Sequence, residues 1–277
     1  MATTHTEHGD ATIARAGQIL LTEVGSGLHG IAIAGTDDHD EMGVFIEPAG
    51  CVIGLAKPMD TYTYRTQAEG RRSQPGDTDR VLYALRKYLR LATDGNPTVL
   101  SMLFAPEKSV YATSELGEEL RALAPAFLSG KVVDRSAHYL DSQVQKLLGK
   151  GPRGSMPKRP ELVAKYGYDT KFASHALRLG YQGLEIAEHG RLTLPMPEPE
   201  RQCVLKVKSG GVPDLEQVLW DIRSLRARMM QAMERGRTPL APAPDWERLS
   251  AWSVSAHQRH WQAIERSHGK DCDPDEG

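Results

Sequence analysis

A glycine turn between two apolar segments is the feature that most constrains the fold of this chain. Residues 19–24 and 42–46 have the apolar composition of strands, and the turn between them opens with Gly25 and Ser26. Glycines in such a turn can expose backbone N–H groups to a phosphate, as anion-binding nests do. The Gly-Lys-Ser/Thr sequence of a Walker-type phosphate loop is absent from this turn. The segment is therefore predicted to be a strand, a glycine turn and a second strand.

An acidic cluster, Asp37-Asp38-His39-Asp40, stands directly before the second strand. Because side chains alternate between the faces of a strand, Asp38 and Asp40 are predicted to share one face. Two adjacent carboxylates repel each other unless a cation lies between them, and Mg²⁺ takes oxygen ligands of this kind. The cluster is also ordinary turn chemistry, since Asp caps its own backbone. The order of strand, glycine turn and acidic strand favours metal-assisted phosphoryl or nucleotidyl transfer over a solvated turn.

The amino-acid composition and net charge limit the classes of protein to which this chain can belong. The chain has 277 residues, 40% of them apolar and 25% charged, which is typical of a soluble globular protein with a substantial core. The formal net charge of −2 argues against wholesale electrostatic capture of nucleic acid but is compatible with a local basic patch. Three widely spaced cysteines indicate neither a disulfide framework nor a zinc site. With a polar N-terminus and no long apolar run, we expect a cytoplasmic protein without a membrane span.

The pattern changes near residue 125. The first half mixes strand-like runs with helices, whereas the second half has helical periodicity throughout, with apolar stripes over 140–148 and 215–233. Residues 149–160 form a loop rich in Gly, Pro and basic side chains, interpreted either as a phosphate contact or as a solvated connector. A charged tail over residues 267–277 is predicted to be disordered.

The turn and the Asp pair resemble the nucleotidyltransferase superfamily that includes DNA polymerase β and the antibiotic nucleotidyltransferases. The hallmark of that superfamily is a Gly-Ser turn followed by Asp-x-Asp on the next strand. Within it, the chain is similar to a bacterial and phage group labelled predicted nucleotidyltransferases, and the segments that support this are 77–89, 95–100 and 166–171. The sequence departs from the group at Asp37, where Ser is common, and lacks the frequent Arg in the turn.

The resemblance implies an α+β fold in two domains. A small mixed nucleotidyltransferase-type sheet with flanking helices is expected over residues 1–125. An all-helical domain is expected over residues 126–266.

The resemblance also implies the ligands of the site. Asp38 and Asp40 are expected to bind two ions of Mg²⁺ or Mn²⁺, and Gly25 and Ser26 to hold the phosphates of an NTP substrate. The departures from the group affect substrate contacts more than chemistry, because the metal-binding pair is intact.

A two-metal site generally needs a third carboxylate, and two candidates follow the strands. Asp77 and Asp79 would share a face in a strand, and the resemblance, by position relative to Tyr83, points to Asp79. The competing interpretation makes Asp79 the N-cap of a helix that contains Leu82. Both interpretations are open on the sequence.

The helix predicted after Asp169 carries a polar face. Lys171, His175 and Arg178 recur at helical spacing, followed by Gln182 and Glu185. Fixed positive charge on this face could clamp a triphosphate or the leaving pyrophosphate, and the resemblance favours that role. The alternative is a solvated face with ordinary ion pairs, and His175 is either a proton shuttle or a packed side chain.

The leading hypothesis is a metal-dependent nucleotidyltransferase. It would move an NMP from an NTP, such as ATP, to an acceptor with release of pyrophosphate. The acceptor could be a small molecule, tRNA or another RNA, or a protein hydroxyl. One alternative is a non-catalytic nucleotide- or RNA-binding module of the same fold. The other is a metal-dependent phosphohydrolase that uses the cluster at 37–40 with His39.

Overall fold

The structure, a computed structural model, describes residues 5–35, 38–71, 73–150 and 159–270, with side chains through residue 266. The first half contains all six strands of the described chain. Its elements are β1 (Thr6–His8), α1 (Ala11–Ala16), β2 (Gln18–Glu23), α2 (Gly25–Leu28), β3 (His39–Phe45), α3 (Ala49–Val52), β4 (Thr61–Arg65), β5 (Thr78–Ala84), α4 (Leu85–Thr93), α5 (Pro97–Ser101), the 3-10 turns Met102–Phe104 and Glu107–Ser109, β6 (Val110–Thr113), α6 (Glu115–Ala122) and α7 (Ala124–Phe127).

The second half is helical throughout its described part. Its elements are α8 (Gly130–Leu147), α9 (Pro160–Tyr166), α10 (Thr170–His189), α11 (Glu200–Lys208), α12 (Leu215–Glu234) and α13 (Trp246–Lys270). None of the helices in the described ranges is long and apolar enough to span a bilayer.

The strands form one mixed sheet in the order β1-β4-β5-β3-β2-β6. The central neighbours β3 and β5 are parallel, and the other pairs are antiparallel. In the register of the parallel pair, Asp40 lies opposite Asp79. The predicted α+β architecture, with a mixed sheet, flanking helices and C-terminal helices, is confirmed.

The two faces of the sheet are buried in different cores. Met42 and Val44 lie two and four residues after Asp40 on β3, so they share its face, and they belong to the larger core that continues into the helical half. Phe45 and Leu82 point to the opposite face and belong to a smaller core. Because side chains alternate along a strand, Asp40 and Asp79 stand on the face that is covered by the helical half.

Helix α10 is the centre of the helical half and packs against α8, α11 and α12. Asp169 caps its N-terminus, since the side chain accepts hydrogen bonds from the backbone N–H groups of Lys171 at 3.1 Å and Phe172 at 3.2 Å. Gly190 ends the helix in the left-handed conformation with φ of 62°. The start of this helix after Asp169, predicted from the sequence, is correct.

Helix α13 returns to the first half of the chain. The Trp261 indole donates to the Glu47 carbonyl at 2.8 Å, and the Trp252 indole donates to the Glu119 carboxylate at 2.7 Å. The larger core therefore crosses residue 125, and a domain boundary there stays a prediction. The helix runs through Lys270 into the first four residues of the predicted tail, and residues 271–277 lie outside the described chain.

Candidate active site

Three carboxylates meet at the edge of the sheet where β3 and β5 begin. Asp40 and Asp79 are register partners on these strands, and Asp38 precedes β3 by one residue. One oxygen atom from each carboxylate lies within 4.8 Å of those of the other two. The structure thus brings together all three acidic residues predicted for the site.

The Asp79 side chain is held in place by the segment between β4 and β5. The Gln67 amide donates to Asp79 Oδ1 at 2.8 Å, and the Ser73 hydroxyl donates to Oδ2 at 2.9 Å. The Arg65 Nε atom lies 3.7 Å from Oδ1. These contacts fix the carboxylate orientation without closing the cluster.

Asp77, the other candidate, has a structural role. Its carboxylate accepts hydrogen bonds from the Thr66 hydroxyl at 2.9 Å and the Gln74 backbone N–H at 2.7 Å. The interpretation of Asp79 as a helix N-cap is wrong, because Asp79 lies within β5 and α4 begins only at Leu85. Only Asp79 of the two aspartates joins the three-carboxylate cluster.

The three carboxylates of the cluster repel one another. Burial, followed by the negative charges of Asp38 and Asp79, raises the pKa of Asp40 to about 6, against a partial opposing effect of Lys171 and His39. Three converging oxygen donors whose like charge is only partly compensated are a donor set that fits a hard divalent cation such as Mg²⁺ or Mn²⁺.

The Gly-Ser turn lies directly against Asp40. Gly25 has φ of +70°, and a Cβ atom at this position would lie 2.2 Å from Asp40 Oδ2, so a glycine is required both for the conformation and for the approach. The Val24 N–H donates to the Asp40 carbonyl at 2.9 Å. Ser26 is half-buried, and its hydroxyl has no hydrogen-bond partner among the residues that the structure describes.

His29, at the end of this turn, connects the sheet to α10. Arg178 Nη1 donates to His29 Nε2 at 3.0 Å and to Gln182 Oε1 at 2.9 Å. All three side chains are buried, so the interpretation of this face as solvated is wrong for Arg178 and Gln182. Burial lowers the pKa of Arg178 to about 10, and burial together with Arg178 lowers the pKa of His29 well below its ordinary value.

A cleft with a volume of about 1020 Å³ separates the carboxylates from the helical half. Asp38 and Asp79 line one side, whereas Arg178 is not among the lining residues. The cationic side chains that line the cleft are Arg65, Arg71, Arg159, Lys165, Lys171 and Lys208. Arg159, Lys165, Lys171 and Lys208 belong to the helical half and face the carboxylates, together with Glu161. Arg65 and Arg71 belong to the sheet half, and Arg65 lies beside Asp79.

His175 on α10 is half-buried, and several cationic side chains lie near it. Burial and the nearby charges of Arg178, Lys171, Arg159 and Lys208, in this order, lower the pKa of His175 to about 3. The imidazole is therefore neutral near pH 7, and a pKa this low makes it a poor proton acceptor.

Several cleft residues were missed by the sequence analysis. Lys208 on α11 and Arg65 and Arg71 near β4 carry no motif, and only the folded chain brings them to the carboxylates. Arg159 falls within the basic loop that was a candidate phosphate contact, and it pairs with Asp169 at 3.1 Å. Residues 151–158 of that loop lie outside the described chain.

His39 does not join the three carboxylates. Its Nε2 atom lies 3.2 Å from Glu41 Oε1, and Glu41 also pairs with Arg80 on β5. Asp37, the remaining acid of the predicted phosphohydrolase cluster, lies outside the described chain.

Comparison with known proteins places the chain in a family. A sequence profile of the RNA repair pathway DNA polymerase beta family matches residues 5–255. No curated protein sequence matches the chain. Among solved structures, a nucleotidyltransferase-like protein from Exiguobacterium sibiricum is 12% identical, and the match covers 92% of this chain and 76% of that one with a TM-score of 0.29. The profile match extends over most of the chain, and the protein therefore belongs to the RNA repair pathway DNA polymerase beta family, whose members are DNA polymerase β-like nucleotidyltransferases.

Proposed function

We propose that the protein transfers an NMP from an NTP to an acceptor hydroxyl and releases pyrophosphate. The observation that carries this proposal is the cluster of Asp38, Asp40 and Asp79, whose oxygens converge within 4.8 Å beside a cleft with a cationic opposite wall. The carboxylates are suitable ligands for the metal ions. The cationic side chains are suited to bind a triphosphate and to stabilise the leaving pyrophosphate.

The three carboxylates would hold two divalent ions. Asp38 and Asp40 would bind the ion associated with the nucleotide, and with Asp79 they would bind the second ion. When bound, the ions would supply Lewis-acid charge that favours ionisation of the acceptor hydroxyl and the departure of pyrophosphate. The hydrogen bonds from Gln67 and Ser73 would keep Asp79 oriented toward this position.

The other site residues would bind and position the nucleotide. The backbone of Gly25 and the free Ser26 hydroxyl would contact the β- and γ-phosphates, and the Lys171 ammonium would stabilise the leaving pyrophosphate. Arg178 is buried behind this wall, so it would contribute its charge and hold the turn through His29 rather than touch the nucleotide. The neutral His175 would form a hydrogen bond with the substrate rather than take up a proton.

We further propose that the acceptor is an RNA end. The cleft carries Arg71 and Lys165 in addition to Lys171 and to Arg65, which lies beside Asp79, and this is more positive charge than one triphosphate requires. Such a cleft attracts the phosphates of a nucleic acid and repels an aminoglycoside, which is itself a polycation. The family description, which names an RNA repair pathway, supports the same class of acceptor.

Labelling with each α-³²P NTP in the presence of Mg²⁺ or Mn²⁺ tests the proposal. We expect label in RNA oligonucleotides with a free 3′ hydroxyl, together with stoichiometric pyrophosphate, and no label in aminoglycosides or protein. Asp38→Asn and Asp79→Asn should each lower the rate by at least about a hundredfold. Asp77→Asn, next to the site but outside the cluster, is the matched control and should retain most of the activity.

The product separates this reaction from the two alternatives. Incorporation into none of the acceptor pools, with NTP binding intact, would identify a non-catalytic binding module. Release of free phosphate or nucleotide without an acceptor would identify a phosphohydrolase.

A further inference from the structure

A second concavity lies at the opposite end of β5 from Asp79, between α3, α4 and α13. It has a volume of about 730 Å³ and is called the α4–α13 groove below. Its walls include apolar side chains that are exposed in the folded chain: Ile53 at 78%, Trp246 at 52% and Val254 at 56%. Exposed apolar side chains that share one groove are typical of a binding site.

Two arginines give the groove its charge. Arg86 and Arg90 are one helical turn apart on α4, both are exposed, and both line the groove. Within the described ranges neither side chain has a hydrogen-bond or ion-pair partner. Burial raises the pKa of the nearby Glu47, and Arg86 opposes this effect in part without forming an ion pair with the carboxylate. The pair is therefore available to an anion.

A buried histidine supplies an unused polar atom. His257 lines the groove and is only 6% exposed. Its Nδ1 atom donates to the Ser253 carbonyl at 2.7 Å, which leaves Nε2 as an acceptor in the neutral ring. In the described part of the chain this buried Nε2 atom has no hydrogen-bond partner. An unsatisfied buried acceptor is uncommon in a folded protein, and this one is free to accept a hydrogen bond from a donor in the groove.

We propose that the α4–α13 groove binds a single-stranded nucleic acid. The Lys131 ammonium lies over the Trp246 ring, 5.7 Å from its centroid, so a base would stack on the other face of the indole. The phosphates on either side would pair with Arg86 and Arg90, and His257 Nε2 would accept a hydrogen bond from a base amino group or a ribose hydroxyl. Aromatic rings combined with unpaired arginines are the elements from which single-strand binding sites are built. Arg86 follows Asp79 by one strand length, on the order of 20 Å, so this site is distinct from the catalytic cleft.

Binding of a 5′-fluorescein-labelled oligouridine RNA to the full chain, followed by fluorescence anisotropy, tests the proposal. The assay contains EDTA and no NTP, so its result does not depend on the proposed transfer reaction. We expect Arg86→Gln/Arg90→Gln to weaken binding about tenfold and to lower the slope of log K against log salt by about 1.4, which is two phosphates at about 0.7 each. Trp246→Ala should also weaken binding about tenfold.

Matched variants on α12 and at Arg235, the residue that follows it, are called the α12 controls and account for charge and aromatic content. Arg223→Gln/Arg235→Gln removes two exposed arginines and Trp220→Ala removes an exposed tryptophan, all outside the groove, and these variants should bind like the wild type. The location is checked by photocrosslinking of 4-thiouridine RNA, which should label the peptide that contains Trp246.

Three results would overturn the proposal. Groove variants that bind like the wild type, or that are matched by the α12 controls, would show that the groove makes no specific contact. Crosslinks confined to peptides of the catalytic cleft would assign the binding there. A wild-type dimer that Trp246→Ala converts to a monomer in light scattering would assign the groove to a second copy of the chain.

Discussion

At the scale of single residues, Asp40 destabilises the metal-free fold. Its pKa is raised from 3.8 to about 6, chiefly by burial and then by Asp38 and Asp79. Below about pH 4 the carboxyl is protonated in both the folded and the unfolded chain, whereas above about pH 6 it is ionised in both. The folded state therefore loses stability through this group as the pH rises from about 4 to about 6. A residue of the candidate site thus opposes folding until a cation is bound.

Asp40→Asn tests this effect. In EDTA we expect the variant to be more stable than the wild type by on the order of 1–2 kcal/mol above pH 6, because the shift of about two pKa units is partly screened at a half-buried site. The gain should disappear near pH 4. Urea denaturation across this pH range measures it, and added Mg²⁺ should stabilise the wild type but not the variant.

Asp77→Asn is the control for this experiment. Asp77 accepts hydrogen bonds from Thr66 and Gln74 outside the cluster, so its replacement should give no gain in stability. An equal gain in both variants would contradict an origin in repulsion among the three carboxylates.

Substitution of Gly25 tests its close approach to Asp40. Gly25→Ala should reduce transfer by at least about tenfold and destabilise the chain by more than about 1 kcal/mol, since a Cβ atom would collide with Asp40 in addition to the strain of a positive φ. Gly35→Ala carries the same strain, with φ of +73°, but no atom lies within 4 Å of the added Cβ. Rate measurements and denaturation of both variants separate the collision from the strain, and equal rates would contradict a role for the close approach.

At the scale of elements, α10 contributes two cations with different roles. Lys171 faces the cleft, and its ammonium group has no partner among the described residues, whereas Arg178 is buried against His29 and Gln182. One helix thus provides a charge for a ligand and a charge that holds the catalytic turn.

Substitution of each cation by Gln tests this division. Lys171→Gln should weaken NTP binding about tenfold with a change in stability of at most about 0.5 kcal/mol. Arg178→Gln should lower the free energy of unfolding by about 1–3 kcal/mol, because His29 loses its buried donor. Calorimetric NTP titration and urea denaturation measure the two effects. A large loss of stability in Lys171→Gln, or none in Arg178→Gln, would contradict the assignment.

The elements also show how far the sequence predicts the site. Strand alternation and helix caps are local, so the shared face of Asp38 and Asp40 and the start of α10 at Asp169 could be predicted from the residues alone. The pairing of β3 with β5 joins segments that are distant in sequence, and Asp79 could be selected only through resemblance to a family. Lys208 and the contact of His29 with Arg178 depend on tertiary packing, which leaves no local pattern in either segment.

At the scale of the whole molecule, the two halves share one core. The larger core includes Ile19 and Val44 from the sheet and Leu177 and Ala256 from the helices. Residues on both sides of position 125 therefore lose their apolar contacts together when either half unfolds.

Calorimetry tests whether the halves are independent. We expect one cooperative thermal transition for the full chain, with equal calorimetric and van't Hoff enthalpies. A fragment of residues 1–125 should lack stable tertiary structure by near-ultraviolet circular dichroism, because its sheet would lose the apolar residues of the helical half that belong to the same core. Two separate transitions, or a folded fragment, would instead establish the boundary predicted near residue 125.

The parallel register of β3 and β5 limits where related chains can gain or lose residues. Because consecutive side chains alternate faces, one residue inserted into β5 after Asp79 would turn this carboxylate away from Asp40 while the rest of the strand stays paired. Insertions at the fully exposed Leu55, in the connection from β3 to β4, would leave both strands in register. Functional relatives should therefore vary in length around Leu55 and keep the spacing within β5 constant, a pattern that separates active chains from decayed copies without an assay.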